Sequence, residues 1–188
     1  MRWVKALMEE FAPIAALGIC NSLYGFQMAV LTMLLTMFIV LCIVMIVEKR
    51  APWFAVVSSV SVGLFASASY IAGDFDLFAL SDTLIDGVLG VSLLFSLTWD
   101  KPLLQRFFGE TFAISDEAWC ILSIRWGIFL VALALANELV RQSYSNDTWI
   151  SFKLYATAVI VVFGCLQLRL SHRHRIEGEA NTLGLRRA

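Results

Sequence analysis

The sequence predicts an all-α protein, a polytopic transmembrane helical bundle. It has five clear spans plus an N-terminal membrane-associated helix that becomes a sixth if it crosses. Three observations carry this reading. Of the 188 residues, 60% are hydrophobic and 15% charged, against about 45–50% apolar and about 25% charged in soluble domains; mean hydropathy is +0.79. Uncharged runs of 37 residues, Phe11 to Val47, and of 23 residues, 51–73, exceed what a soluble core helix needs. Lys and Arg gather in alternate loops. This composition excludes an ordinary soluble enzyme and a disordered tail, and a net charge of −1 provides no global field for nucleic acid.

A bilayer core about 30 Å thick takes about 20 helical residues. The 37-residue run would reach about 55 Å as one helix, so a break is expected near Asn21, Ser22 and Gly25. The first clear span is then 25–47, the second 51–73, and the third 80–99 with Asp82 and Asp86 in its first half. The fourth is 118–137 and contains Arg125; the fifth is 148–168 with Lys153 near its start. The segment 3–24 carries Glu9, Glu10 and Pro13, and whether it crosses is left open. Ser115 reads as the N-cap of span four, with Asp116 and Glu117 in the first turn, and Asn146 and Asp147 play that part for span five. The apolar start does not break at a small-residue cleavage site, so no cleaved signal peptide is expected.

Orientation follows the positive-inside rule. The first loop (Lys49, Arg50), the third (Lys101, Arg106) and the tail (Arg169, Arg173, Arg175, Arg186, Arg187) hold nine basic residues. The second and fourth loops hold one, Arg141. The C-terminus is therefore expected in the cytoplasm of a bacterial inner membrane. Trp53, Trp99, Trp119 and Trp149 fall at predicted span ends, where indoles favour the headgroup layer. Residues 1–172 read as one transmembrane domain and 173–188 as a polar cytoplasmic tail. Within the third loop, 101–108 reads either as a short surface helix or as a loop anchored by Phe107 and Phe108.

Cys20, Cys42, Cys120 and Cys165 lie in apolar segments without C-x-x-C spacing, and His172 and His174 are spaced i,i+2. Neither pattern suits a zinc site or a disulfide framework. No metal, cofactor or catalytic residue is expected: the chain lacks H-E-x-x-H, G-x-S-x-G and a Walker loop.

Two features bear on function. Span two places a small residue at every fourth position, Ala51, Ala55, Ser59, Gly63 and Ser67, one stripe of the helix. Such a stripe packs against a neighbouring helix, Gly87 and Gly90 of span three being candidates, or forms a homo-oligomer seam. Intramembrane charges are costly and face the bundle interior, pair, or snorkel. Counting from the predicted span starts, Asp86 and Lys153 lie at matching depths, about 9 Å and 7 Å in, and form a candidate polar pair. That pair reads either as structural or as part of a polar cavity in a small transporter or channel. Arg125 reads as snorkelling to lipid phosphate.

Several short motifs are familiar together. They are Phe11-Ala12-Pro13-Ile14, Lys101-Pro102-Leu103-Leu104 with Gly109, and Leu122-Ser123-Ile124-Arg125-Trp126 followed by Asn137-Glu138. The most specific is Asp147-Thr148-Trp149-Ile150-Ser151-Phe152-Lys153. In these the chain resembles the bacterial intracellular septation protein A family of small multi-pass inner-membrane proteins, from about Phe11 to about His172. It departs from that family at Ser81-Asp82-Thr83, where Lys-Pro-Thr is typical, and at Asp86, where an uncharged residue is usual. The resemblance implies a non-enzymatic role in septation, envelope integrity and membrane homeostasis, exerted through contacts with division and elongation machinery.

Overall fold

A computed structural model of the protein describes residues 2–48, 53–73 and 75–186. The chain forms α1 (Arg2–Tyr24), α2 (Phe26–Glu48), α3 (Trp53–Ala72), α4 (Phe75–Phe95), a 3-10 turn (Ser96–Thr98), α5 (Leu103–Phe108), α6 (Asp116–Ser143) and α7 (Asn146–Arg173). Four helices are long and apolar enough to cross a membrane, over Phe26–Ile46, Asp76–Thr98, Asp116–Ser143 and Asn146–Arg173. Ala12–Tyr24 of α1 and Val60–Ala72 of α3 are shorter apolar helices. The expected second span coincides with α3, its first residues 51 and 52 lying outside the described residues.

The expected break falls where the sequence places it. Gly25, at φ +81°, separates α1 from α2. A left-handed backbone costs an L-residue roughly 1–2 kcal/mol, which glycine avoids. The third span starts earlier than expected. Residues 75–79, read as loop, form the first turn of α4, because Asp76 complements the helix N-terminus while Phe78 and Ala79 are fully buried. Asp74 lies outside the described residues. Helices α6 and α7 have 28 residues each, about 42 Å at about 1.5 Å per residue, longer than the apolar stretches alone indicate. Ser115 Oγ accepts from the Ala118 N–H at 3.4 Å, the expected cap. For α7 the cap is Ser145, which accepts from the Thr148 N–H at 3.4 Å, and Asn146 is already helical. Residues 103–108 form the helix α5.

Two compact units emerge. One comprises Met1–Asp82 and Asn137–Thr157. Its core contains Leu17, Val30, Met33, Ala66, Phe78, Trp149 and Ile150. Within it α3 buries Ala66 and Ser69 and packs Val62 on the core, while Gly63 faces Met37 and Leu34 of α2. Ser67 is exposed, so the small-residue stripe is only partly a packing face in the single chain. The side chains of Ala55 and Ser59 lie outside the described part, as do residues Ala51 and Pro52.

The other unit comprises Thr83–Ala136 and Ala158–Ala188. Here α4 and α6 cross closely. A Cβ on Gly90 would lie 2.9 Å from Gly127 O and from Val131 N, and one on Gly87 would lie 3.7 Å from Ala134 Cβ. The glycines of span three thus face α6, whereas the sequence offers them to span two. Phe129 and Phe163 stack at 4.1 Å, with Trp126 edge-on to both. Arg125, an exposed residue, donates one N–H to Gln167 Oε1 at 3.1 Å.

The tail in this unit folds back. Isolated β-bridges join Phe112 to Leu185 and Ile114 to Arg175. Ala113 N–H donates to Gly184 O and Ile176 N–H to Ala113 O, both at 2.9 Å. The polar tail is thus hydrogen-bonded back onto the segment before α6.

The predicted indole belt also changes. Trp149 is fully buried and Trp119 is 3% exposed, so both are core residues. Trp99 remains half-exposed, with the Arg106 guanidinium 5.0 Å over its ring. The side chain of Trp53 lies outside the described part. Elsewhere the surface is strongly apolar: Leu35, Phe38 and Ile46 of α2 are 60%, 64% and 75% exposed. Contiguous apolar surface of this kind is unfavourable in water and is satisfied by acyl chains.

Candidate functional site

A polar cluster among the long apolar helices lies in the unit built from Met1–Asp82 and Asn137–Thr157. It starts from two charges placed by helix register. Asp82 follows the first residue of α4 by seven positions, and Lys153 follows the first residue of α7 by seven. Each is about 10 Å along its helix. Lys153 Nζ contacts Asp82 Oδ2 directly, with 14% and 20% of the two side chains exposed. With α4 starting at Phe75 in place of Leu80, Asp82 lies at the depth of Lys153. The partner in contact with Lys153 is Asp82, one helical turn before the Asp86 that the sequence singles out.

Two aromatic rings enclose the ammonium. Lys153 Nζ lies 5.0 Å from the Trp149 ring centroid and 5.3 Å from that of Phe78. Trp149 is four residues before Lys153, so both project from one face of α7. Phe78 is four residues before Asp82 and does the same on α4. The rings meet edge to face at 5.7 Å, and Phe26 of α2 approaches Phe78 at 6.1 Å. A desolvated cation over aromatic faces gains up to about 2 kcal/mol.

Asn137 ties this cluster to α6. Its Oδ1 accepts from Trp149 Nε1 at 2.8 Å, and its Nδ2 donates to Ala79 O at 3.0 Å. One buried amide thus bridges α7 and α4. Nearby, Arg141 forms a two-pronged pair with Glu138 (3.0 and 2.6 Å) and approaches Asp76 at 3.7 Å. Asn21 of α1 donates to Asp147 Oδ1 at 2.9 Å.

The sequence singles out Lys153 with Asp86, names Asp82 only as sharing the Asp86 face, and does not show the surround. Phe78 was hidden by a misplaced helix start, and Trp149 by its position at a span end. The pointer available was Trp149 and Lys153 at i,i+4, together with a polar Asn137 at the close of an apolar run. Chemically the cluster clamps: it joins α4, α6 and α7 through an ion pair, two ring faces and a bridging amide. Among the described residues no group of three His, Cys, Asp or Glu side chains could hold a metal ion.

Apolar exteriors, long helices and a satisfied polar knot inside define a multi-pass helical membrane protein. The chain belongs to the intracellular septation protein A family, which it matches over residues 4–177. Curated relatives are inner membrane-spanning proteins named YciB. That of Brucella suis biovar 1 (strain 1330) is 33% identical over 135 residues, 71% of this chain and 68% of the relative. That of Agrobacterium fabrum is 30% identical over 133 residues, 70% of this chain and 65% of the relative. For the Brucella ovis protein the match covers 61% of the relative, so the chain spans about two thirds or less of several relatives. No solved structure matches. The protein is thus a multi-pass inner-membrane protein of this family, for which no enzymatic function is indicated.

Proposed function

We propose that this protein supports septation and envelope integrity as a non-enzymatic inner-membrane component, through contacts with division and elongation proteins. The observation that carries the reading is the family match over nearly the whole chain. The chemistry of the polar knot agrees with it. Lys153 has its charge on Asp82 and its flanks on two rings, an arrangement suited to holding helices in register. In this reading helices α2, α3, α4, α6 and α7 cross, the C-terminus is cytoplasmic, and a crossing by α1 would bring Arg2 and Lys5 to the same side.

The test is a clean deletion in the native host, scored for cell length, septum position and dye leakage. Filaments, misplaced septa or leaky envelopes corrected by the wild-type gene are expected. Normal division with an intact envelope would overturn the proposal. Altered solute flux in that strain would favour the transporter reading built on Asp82, Asp86 and Lys153.

A further inference from the structure

A cavity between α1 and α7 is not used by the knot around Lys153. It is an open groove with a volume of 580 Å³. Its walls are apolar: Ala15, Gly18 and Ile19 from α1, and Ile150 and Leu154 from α7. Gly18 keeps it open, since a Cβ there would lie 3.7 Å from Leu154 Cδ1 and 4.0 Å from Ile150 Cγ2. Any longer side chain would enter the space.

Its mouth is polar and lies where α1 ends and α7 begins. Asn21, Ser22, Asp147 and Ser151 form it. Their hydrogens are largely committed to the protein. Ser22 Oγ donates to Ile19 O at 2.8 Å, Ser151 Oγ donates to Asp147 O at 3.0 Å, and Asn21 Nδ2 donates to Asp147 Oδ1 at 2.9 Å. A hydroxyl has one hydrogen, so both serines are left with lone pairs only. The mouth therefore offers acceptors, a negative charge and the second N–H of Asn21 above an apolar slot.

The complementary ligand carries a cationic N–H donor at the tip of its head, and a hydrocarbon chain. We propose that this groove binds a phospholipid with a primary ammonium headgroup, its ammonium at Asp147 and one acyl chain along Gly18, Ile150 and Leu154. A primary ammonium brings three N–H donors to a mouth that holds acceptors and a carboxylate. A choline head has the same positive charge and no N–H, so it fits the slot and fails the mouth. This inference is independent of the septation reading.

The test is native mass spectrometry of the full-length protein, offered equal amounts of dioleoyl phosphatidylethanolamine and dioleoyl phosphatidylcholine. Wild type is expected to retain the ethanolamine lipid about tenfold more strongly, the effect of one charge-assisted hydrogen bond. Asp147→Asn should bring the two lipids to near parity. Gly18→Leu should lower retention of both, and Gly18→Ala, whose Cβ meets only ordinary contacts, should retain the wild-type preference. Equal retention of the two lipids by wild type would overturn the proposal. So would a Gly18→Leu protein of normal helicity that binds as wild type does.

Discussion

Trp149 Nε1 donates to Asn137 Oδ1 at 2.8 Å, joining the start of α7 to the last part of α6 between two buried side chains. Because the same amide donates to Ala79 O, removing it leaves an indole N–H without its acceptor. Asn137→Ala is expected to cost about 1–3 kcal/mol, measured as thermal unfolding of the protein in mild detergent. Trp149→Phe should cost a comparable amount. The double change should cost less than the sum, with a coupling of about 0.5–3 kcal/mol. Strict additivity would mean the bond contributes nothing.

The ion pair leads to a sharper expectation. Lys153→Met leaves the Asp82 carboxylate largely enclosed without its cation, and breaking a buried pair costs about 3–5 kcal/mol. Asp82→Asn combined with Lys153→Met removes both charges and should recover most of that loss in thermal unfolding. A double variant no more stable than Lys153→Met alone would sink the pairing.

The α4–α6 crossing separates two glycines that look alike in the sequence. At Gly90 an added Cβ meets backbone atoms at 2.9 Å, whereas at Gly87 it meets Ala134 Cβ at an ordinary 3.7 Å. Gly90→Ala should destabilise by about 1–3 kcal/mol through overpacking. Gly87→Ala should be neutral or stabilising by up to about 1 kcal/mol, the helix-propensity gain. Equal unfolding temperatures for the two variants would contradict the close crossing.

The docked tail is open to a proteolysis test. Gly184 has φ +81° and a site for Cβ only 2.9 Å from Ser171 O. Gly184→Ala adds about 1–2 kcal/mol of backbone strain to that clash and should release 174–186 from Ala113 and Thr111. Trypsin should then cut after Arg175 faster in the variant than in wild type. Identical cleavage rates would show the tail is not held there.

Much of the fold is legible in the sequence because the bilayer imposes a simple rule: uncharged runs become helices, and a glycine among polar residues ends one. Gly25 behaves in that way. The site was half legible. Charges in apolar runs point to themselves, so Lys153 and Asp82 are visible. Their pairing depends on where α4 begins, and that is set by burial of Phe78 and Ala79, a tertiary effect with no local signature. The burial of Trp149 is not legible, because an indole at a span end suits a headgroup layer and a buried hydrogen bond equally well. Ser67 shows the opposite limit: a stripe of small residues marks a possible seam, and the neighbouring residues Ala66 and Ser69 decide which part of it is used.

The bridges from Phe112 and Ile114 to the tail also set an order of events during synthesis. Ile114 pairs with Arg175, so the segment before α6 leaves the ribosome roughly 60 residues ahead of its partner, about 3–12 s at bacterial translation rates. Through that interval both α6 and α7 must be made and inserted while 111–115 waits with open backbone groups. A chain stopped short of the tail would keep its membrane helices and lose the closure of that loop. Pairing of 111–115 with the tail therefore follows completion of the two helices between them.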